Sequence, residues 1–314
     1  MSSRLPVTRD DVDRAARTIA GRVHRTPTFT ASSVSPGLVL KAELFQRTGS
    51  FKPRGVLNKL ASLDAAERRA GVIAASAGNH AQALGWAARE EGISALVLSW
   101  RSASEAKMAA ARAYGANLDQ EAASPETVFE RLEQLRTETG RTLVHPFDDP
   151  LVAAGQGTVG AEILEDAPEV ETIVVPVGGG GLLAGIVAAC EGRGIRVVGV
   201  EPESANALEQ ALAAGRSVPV TPRSVADGLN APFAGWIPLA QCQAAGVTVV
   251  TVTEEEIREA MRALYTRSKL ACEPAGAAGL AAVLAGKVQG DHIAVVVSGG
   301  NISAETASGI LAGS

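Results

Sequence analysis

The stretch Gly49-Ser50-Phe51-Lys52-Pro53-Arg54-Gly55 sets one lysine directly between an aromatic residue and a proline. Most lysines are solvated cations at the protein surface, where the amine stays protonated. Burial beside apolar groups lowers the pKa of an amine and makes it a nucleophile. Such an amine forms Schiff bases with carbonyl compounds. Lys52 is therefore the candidate catalytic residue.

Two loops downstream support this interpretation. Ser76-Ala77-Gly78-Asn79-His80 follows the apolar run 72–75, and Gly178-Gly179-Gly180-Gly181 follows the apolar run 172–177. A helical pattern follows each loop. Glycines let backbone N–H groups approach an anion, and a helix N-terminus adds partial positive charge. We predict a carboxylate-binding loop at 76–80, with an ordinary capped helix start as the alternative, and a phosphate-binding loop at 178–181.

The four-glycine loop also fits a different cofactor. Gly179, Gly181 and Ala184 match the dinucleotide fingerprint G-x-G-x-x-G/A, and Glu201 ends the next apolar run, where a ribose-binding acid belongs. A nicotinamide-dependent oxidoreductase is thus a local alternative, and this loop alone does not separate the two. A third loop, Ser298-Gly299-Gly300-Asn301, could place a hydroxyl at a ring nitrogen.

Short apolar runs alternate with helical periodicity along the whole chain. The runs that predict strands are 38–40, 72–75, 95–98, 142–144, 172–177, 197–200, 247–252 and 293–297. Capping residues predict helix starts at Thr8 with Asp11, Ser102 with Glu105, Ser124-Pro125-Glu126, and Thr253 with Glu256. Continuous apolar strands separated by helices indicate parallel sheets covered on both faces. The predicted fold class is therefore α/β.

Weak boundary signals lie near Gly71 and in Pro146-Phe147-Asp148-Asp149-Pro150. They predict two α/β domains with mostly parallel sheets. The small domain comprises residues 72–148 and carries the carboxylate-binding loop, and a large discontinuous domain comprises 1–71 plus 149–314. Ligand clefts form at domain junctions and at the carboxyl ends of parallel strands. All the candidate loops fall at such strand ends.

Composition narrows the partners and the compartment. The 314 residues carry 29 basic side chains scattered among 34 acidic ones, so no basic stripe indicates a nucleic-acid partner. No apolar run reaches the roughly 18 residues of a membrane span. Residues 1–6 lack the apolar segment of a signal peptide, and three widely spaced cysteines suit a reducing compartment. We expect a cytoplasmic protein with a small-molecule partner.

Together with Lys52, the loops resemble the fold-type II pyridoxal-phosphate enzymes, which have a tryptophan synthase β-like fold. The likeness is strongest to the threonine/serine dehydratase and serine racemase branch, and it spans nearly the whole chain. The matching segments are 49–55, 76–82, Ala154-Gly155-Gln156-Gly157-Thr158, 178–181, Ala226-Asp227-Gly228, Cys272-Glu273-Pro274-Ala275-Gly276 and 298–301.

The resemblance implies roles for the matching residues. Lys52 would hold pyridoxal 5'-phosphate through its amine, and Ser298 would meet the pyridine nitrogen. The other implied cofactor-binding residues are Phe51, Asn79, Gly178, Gly179, Gly180, Gly181, Leu182, Gly228 and Glu273. The implied substrate-carboxylate loop consists of Ser76, Ala77, Gly78, Asn79 and His80. A serine hydroxyl does not force the ring nitrogen to stay protonated, which favours loss of a β-leaving group over a long-lived carbanion.

The resemblance thus implies a lyase that removes water from a β-hydroxy amino acid, L-threonine or L-serine, to give a 2-oxo acid and ammonia. Serine racemase and 3-hydroxyaspartate dehydratase are alternatives. A β-replacement synthase and a non-catalytic pyridoxal-phosphate protein rank lower. Racemases carry a second serine at the position of Ala77, so we expect elimination with little racemisation.

Some relatives also bind a divalent cation, Mg²⁺ or Ca²⁺, and many are homodimers. Glu201 matches the first metal ligand of those relatives. The later acid falls at Ala207 here, with Glu203 and Glu209 displaced from it. The cation is therefore a secondary expectation, and the homodimer is expected by resemblance alone.

Overall fold

Two separate sheets organise the computed structural model, which describes residues 5–124 and 127–313. The strands are β1 Thr28–Thr30, β2 Leu38–Ala42, β3 Val72–Ala75, β4 Ala95–Trp100, β5 Asn117–Ala122, β6 Thr142–Leu143, β7 Thr172–Pro176, β8 Arg196–Pro202, β9 Thr248–Val252 and β10 Ile293–Val297. One sheet has the order β1-β2-β10-β7-β8-β9, and the other has the order β5-β4-β3-β6. Only the β1–β2 pair among these described strands is antiparallel.

Helices connect the strands and cover the sheets. They are α1 Arg9–Ile19, α2 Lys52–Ala61, α3 Ala65–Ala70, α4 Asn79–Glu90, α5 Glu105–Ala113, α6 Val128–Thr139, α7 Pro150–Asp166, α8 Gly181–Ala189, α9 Ala207–Ala214, α10 Trp236–Ala245, α11 Glu254–Ala263, α12 Pro274–Leu284 and α13 Ala304–Ala312. Every residue of β2, β7 and β10 is buried, as expected for strands covered on both faces. The predicted α/β class with mostly parallel sheets is confirmed.

Local sequence accounts for several element boundaries. Capping boxes form at Thr8 and Thr253. The side chain of each threonine accepts the N3 backbone N–H, and the side chain of the N3 acid accepts the backbone N–H of the threonine. The predicted cap at Ser102 is wrong, because α5 begins after Ser104 and no side-chain cap bond forms there. The predicted helix start at 124–126 lies partly outside the described residues.

Glycines in the 154–158 segment fix how α7 packs against the helices that carry the candidate loops. A methyl group added at Gly155 would lie 2.6 Å from Gly55 Cα on α2, and one added at Gly157 would lie 2.5 Å from Gly185 O on α8. Side chains of any size would therefore push these helices apart. The close packing holds the helices that follow Lys52 and the four glycines against one another.

Two further expectations concern the cysteines and membrane-spanning segments. Cys190, Cys242 and Cys272 are all buried and form no disulfide. Burial raises the pKa of each thiol to about 12, so none is a reactive thiolate. No helix in the described part of the chain has both the length and the apolar character that a bilayer crossing requires.

Candidate active site

Lys52 is the first residue of α2, and its side chain is partly buried. Its Nζ donates a hydrogen bond of 2.7 Å to Pro146 O and lies 5.1 Å from the centroid of the Phe51 ring. Burial lowers the pKa of the Lys52 amine from 10.5 to about 8. The structure therefore gives this lysine the lowered pKa that a nucleophile or base requires.

Backbone hydrogen bonds join the Lys52 segment to the carboxyl end of β10. Phe51 N donates to Ser298 O at 3.2 Å, and Gly300 N donates to Gly49 O at 2.9 Å. Ser50 and Gly299 form an isolated antiparallel bridge between these two bonds. The predicted serine and the predicted lysine, 246 residues apart in sequence numbering, are thus brought to one place by main-chain contacts.

Asn79 lies in a network of amide and carboxyl groups beside this junction. Its Nδ2 donates to Glu273 Oε1 at 2.7 Å, and its Oδ1 accepts from Asn301 Nδ2 at 2.7 Å. Glu273 is 2% exposed, and burial raises the pKa of its carboxyl to about 7 despite the opposing bond from Asn79. A methyl group at Gly228 would lie 3.9 Å from Glu273 Oε1, which places Gly228 next to the network.

The four-glycine loop leads into α8, as its sequence predicts. Gly180 has φ 93°, a left-handed conformation that favours glycine, and no side chain caps the helix. A methyl group at Gly179 would lie 2.2 Å from the Phe147 ring, and one at Gly181 would lie 2.9 Å from the Phe147 backbone. The first N–H groups of α8 therefore form a cradle that larger residues would close. Leu182, in the first turn, is buried.

The 76–80 loop precedes α4, and its residues contribute in different ways. Gly78 N donates to Ser76 Oγ at 3.2 Å, and no side chain caps α4. The His80 imidazole is 2% exposed, and its Nε2 bonds to Val144 O at 2.8 Å. Burial and the nearby Lys52 charge lower the pKa of His80 to about 3. This ring is therefore neutral and engaged, so only the His80 backbone is available to a carboxylate. Ala77 packs against apolar neighbours.

The metal expectation at Glu201 is not supported by the structure. Both Glu201 carboxylate oxygens accept backbone hydrogen bonds of 2.8 Å at the start of α9, one from Leu208 N and one from Glu209 N. The side chain is fully buried, and burial raises the pKa of its carboxyl while the two backbone bonds oppose that shift. No cluster of three His, Cys, Asp or Glu residues suited to a metal occurs within residues 5–124 and 127–313. Glu201 instead caps a helix.

Sequence reasoning missed the segment that follows β6. It treated 146–150 as a domain boundary, whereas Pro146 O contacts Lys52 Nζ and Phe147 packs on the glycine loop. A histidine next to a proline in a loop after a strand was the available signal. Sequence reasoning also assigned no role to Arg54, which is fully buried and pairs with Glu43 at 2.8 Å and with Glu162 at 2.7 Å.

Comparison with known proteins assigns the chain to a family. The family described as pyridoxal-phosphate dependent enzyme matches residues 19–299. The chain is 41% identical over 304 residues to the L-threonine ammonia-lyase of Thermotoga maritima, covering 94% of this chain and 76% of the relative. It is 37% identical to the catabolic L-threonine dehydratase TdcB of Escherichia coli (strain K12), covering 98% and 96% of the two chains.

Solved structures agree with this assignment. Maize serine racemase superposes with a TM-score of 0.91 at 35% identity, covering 96% of this chain and 95% of that chain. The T.th. threonine deaminase gives a TM-score of 0.88 at 41% identity, covering 94% and 99%. The chain therefore belongs to the pyridoxal-phosphate dependent enzymes and has their fold-type II architecture. This membership sets aside the nicotinamide alternative for the glycine loop.

The residues around Lys52 fit the cofactor of this family. The glycine cradle at the start of α8 presents N–H groups suited to a phosphate. The Ser50 hydroxyl, fully buried beside the Lys52 segment, has no hydrogen-bond partner among the described residues. Lys52 supplies an amine of lowered pKa for an aldehyde. The glycine cradle, the lysine amine and a buried hydroxyl without a partner among the described residues are thus groups that could hold this cofactor.

Proposed function

We propose that this chain is an L-threonine ammonia-lyase that also accepts related β-hydroxy amino acids. The observation that carries the proposal is Lys52, whose amine has a pKa of about 8 and bonds to Pro146 O, next to the Phe147 ring that packs on the glycine cradle. The names of two relatives, an L-threonine ammonia-lyase and an L-threonine dehydratase, favour the threonine reaction. The reaction converts L-threonine into 2-oxobutanoate and ammonia.

The proposal assigns the cofactor contacts as the sequence predicted them. Lys52 would bind pyridoxal 5'-phosphate covalently beside Phe51, and Ser298 would face the ring nitrogen. Residues 178–181 with Leu182 would hold the phosphate. Asn79 would bond the phenolic oxygen of the cofactor, with Gly228 nearby, and Glu273 would contribute to the same part of the site through its bond with Asn79. When bound, this cofactor withdraws electrons from the α-carbon of the amino acid.

The remaining steps use groups of the chain itself. The loop of Ser76, Ala77, Gly78, Asn79 and His80 would bind the substrate carboxylate at the start of α4. Ser76 N already donates to Leu98 O and Gly78 N to Ser76 Oγ, so the other polar groups of the loop would make the contact. The Lys52 amine would remove the α-proton, since its lowered pKa leaves part of it neutral near pH 7. The β-hydroxyl takes up one proton, which balances the one removed from the α-carbon, and leaves as water. The released enamine then tautomerises and hydrolyses to the 2-oxo acid and ammonia.

A racemase is the second candidate, because two similar structures are serine racemases, from maize and from Dictyostelium discoideum. Ala77 speaks against it, since a methyl group cannot exchange a proton on the second face of the substrate. L-Serine, 3-hydroxyaspartate, β-replacement and a cofactor-binding protein without turnover are the other outcomes of the substrate screen. The proposal includes no divalent cation at Glu201, because that carboxylate caps α9.

We also propose the domain division, the oligomer and the compartment. Residues 72–148 would form the small domain, because they contain all of β3–β6, and 1–71 plus 149–314 the large domain. The Lys107–Asp227 ion pair and the Phe129–Phe233 contact, with ring centroids 6.0 Å apart, would join the two. A homodimer in the cytoplasm is the arrangement we expect by analogy.

A substrate screen with trapping of the cofactor tests this function. The purified protein, loaded with pyridoxal 5'-phosphate, is assayed for 2-oxo acid with L-threonine, L-serine and 3-hydroxyaspartate. Borohydride treatment followed by peptide mass spectrometry should locate the cofactor at Lys52, and Lys52→Ala is the matched control. The function is rejected if labelling occurs at Lys52 but no β-hydroxy amino acid yields a 2-oxo acid.

A further inference from the structure

A histidine organises the turn that follows β6. His145 Nδ1 accepts two backbone hydrogen bonds, from Asp148 N at 2.8 Å and from Phe147 N at 3.3 Å. A ring nitrogen that accepts bonds carries a lone pair, so the imidazole is neutral with its proton on Nε2. The ring also packs edge-on against Phe147, with centroids 4.6 Å apart at 89°.

The turn shaped by His145 contacts two parts of the site and the start of α10. Pro146 O accepts the hydrogen bond from Lys52 Nζ at 2.7 Å. The Phe147 ring occupies the space above Gly179 in the phosphate cradle. Asp148 Oδ1 accepts from Ile237 N at 2.8 Å, in the first turn of α10. A change in this turn would therefore move the acceptor of the Lys52 amine and the wall of the cradle together.

We propose that His145 is a positioning residue for Lys52, acting through the lone pair on Nδ1. Its two accepted bonds fix the 145–148 turn, and the turn in turn fixes the Pro146 carbonyl and the Phe147 ring. The inference rests on the proposed function, because it concerns the geometry in which Lys52 reacts. His145 itself acts only through Pro146 and Phe147.

Protonation of His145 would disrupt the turn. It would place an N–H on Nδ1 opposite two backbone N–H donors, so both bonds would be lost. Burial is the main cause that lowers the pKa of His145, and the charge of Lys52 lowers it further. Asp148 and Asp149 oppose this shift, and the neighbouring His80 is itself neutral. The turn should therefore stay intact at neutral pH and be lost in acid, below the ordinary histidine pKa of 6.5.

Two amide variants separate the Nδ1 role from any role of Nε2. In His145→Asn the Oδ1 atom falls near the position of Nδ1 and can accept the same two bonds, whereas the longer Gln places its amide near Nε2. We expect His145→Asn to keep kcat within about threefold of the unchanged protein. We expect His145→Gln to lose about tenfold or more in kcat with a smaller change in KM, the effect of about one lost hydrogen bond.

The pH profile supplies a second contrast. In the unchanged protein, kcat should fall in acid as the His145 imidazole becomes protonated. His145→Asn lacks this group, and an amide does not titrate in this range. The acid limb of the Asn variant should therefore move to lower pH. Equal activity of the Gln and Asn variants, or an identical acid limb in both proteins, would overturn the proposal.

Nuclear magnetic resonance tests the same inference without turnover. The chain has four histidines, so long-range ¹H–¹⁵N spectra of the cofactor-free protein can be assigned with His145→Asn as reference. We expect the His145 imidazole to be the Nε2–H tautomer with a pKa below 6.5. An Nδ1–H tautomer rejects the proposal. If L-threonine is not turned over but this tautomer is found, the proposed function fails while the turn assignment stands.

Discussion

Lys52 Nζ donates a 2.7 Å hydrogen bond to the carbonyl oxygen of Pro146, 94 residues further along the chain. A carboxylate at this place would hold the ammonium in its charged form and raise its pKa. A backbone carbonyl carries no net charge, so it orients the amine while burial remains the cause that sets the pKa at about 8. The uncharged Pro146 carbonyl therefore leaves the pKa of Lys52 low, and the amine can lose its proton near neutral pH.

Removal of the Lys52 amine should stabilise the cofactor-free protein. The folded chain holds an ammonium whose pKa falls from 10.5 to about 8, so its burial costs stability at all pH values below about 8. The cost fades as the pH rises from 8 to 10.5. For Lys52→Met we expect a gain of about 1–3 kcal/mol in the free energy of unfolding at pH 7, since the side chain is partly exposed to the cleft.

Urea unfolding at pH 7 and pH 10 measures this effect. Lys41→Met is the matched control, because Lys41 is fully buried and pairs with Glu162 at 2.7 Å, whereas Lys52 has no carboxylate partner among the described ion pairs. Its removal takes away one of the two cations that pair with Glu162, the other being Arg54, and should destabilise the protein. A Lys52→Met protein less stable than the unchanged one at pH 7 would contradict the assignment of a desolvated amine.

The glycine cradle, which we propose holds the cofactor phosphate, should not tolerate even a methyl group at Gly179. Such a group would lie 2.2 Å from the Phe147 ring, so the ring or the loop must shift. For Gly179→Ala we expect cofactor affinity to fall about tenfold or more, from an overpacking cost of about 1–3 kcal/mol. The smaller side chain in Phe147→Leu should recover part of this loss in the double variant. Absorbance titration with pyridoxal 5'-phosphate measures both, and strictly additive effects would show that the two residues are not in contact.

The sequence predicted most strands and the loops that meet at the site, because both depend on short local patterns. The apolar run 293–297 and the polar turn at 298–301 predicted β10 and the position of Ser298 after it. The capping box at Thr253 is equally local. Patterns within a few residues were enough for these features.

Features that depend on packing between distant segments could not be predicted in this way. The contact of Lys52 with Pro146 arises only when the start of α2 meets the turn that follows β6, 94 residues further along the chain. Glu201 shows the reverse case, since its position suggested a metal ligand or a ribose contact, while the fold turns its carboxylate toward the start of α9. The burial of each side chain and its hydrogen-bond partner, rather than its residue type, determine these roles.

Glu273 should make the stability of the cofactor-free protein depend on pH near neutrality. Burial raises the pKa of its carboxyl from 4.5 to about 7, so its stabilising contribution is present below pH 4.5 and is lost as the pH rises to 7. Gln keeps an acceptor for Asn79 Nδ2 and does not ionise. Relative to the unchanged protein, Glu273→Gln should gain stability between pH 4.5 and 7, by up to about 3 kcal/mol. Urea unfolding at several pH values checks this, and a constant difference would rule it out.

Chelation should leave the activity unchanged, because Glu201 caps α9 with both oxygens. Glu201→Gln can accept only one of the two backbone bonds and opposes the other with its own N–H. We expect this variant to lose about 1–3 kcal/mol of stability, with activity retained in the folded fraction. Assays with EDTA, before and after addition of Mg²⁺ or Ca²⁺, provide the measurement. Activity lost with EDTA and restored by either cation would restore the metal hypothesis.

A second proton-transferring group should convert part of the elimination into racemisation. Ala77 lies in the proposed carboxylate loop, and its methyl group cannot take or give a proton on the face opposite Lys52. Ala77→Ser adds one hydroxyl with little change in volume, and Ala77→Val is the control for bulk without a proton. With L-serine we expect the unchanged protein to form pyruvate with little D-serine. The Ala77→Ser variant should raise the ratio of D-serine to pyruvate at least about tenfold. This ratio corresponds to a change of about 1.4 kcal/mol in the difference between the two activation barriers. Chiral chromatography and a coupled pyruvate assay on the same samples give this ratio. D-Serine formed faster than pyruvate by the unchanged protein would instead show that a group other than residue 77 serves the second face.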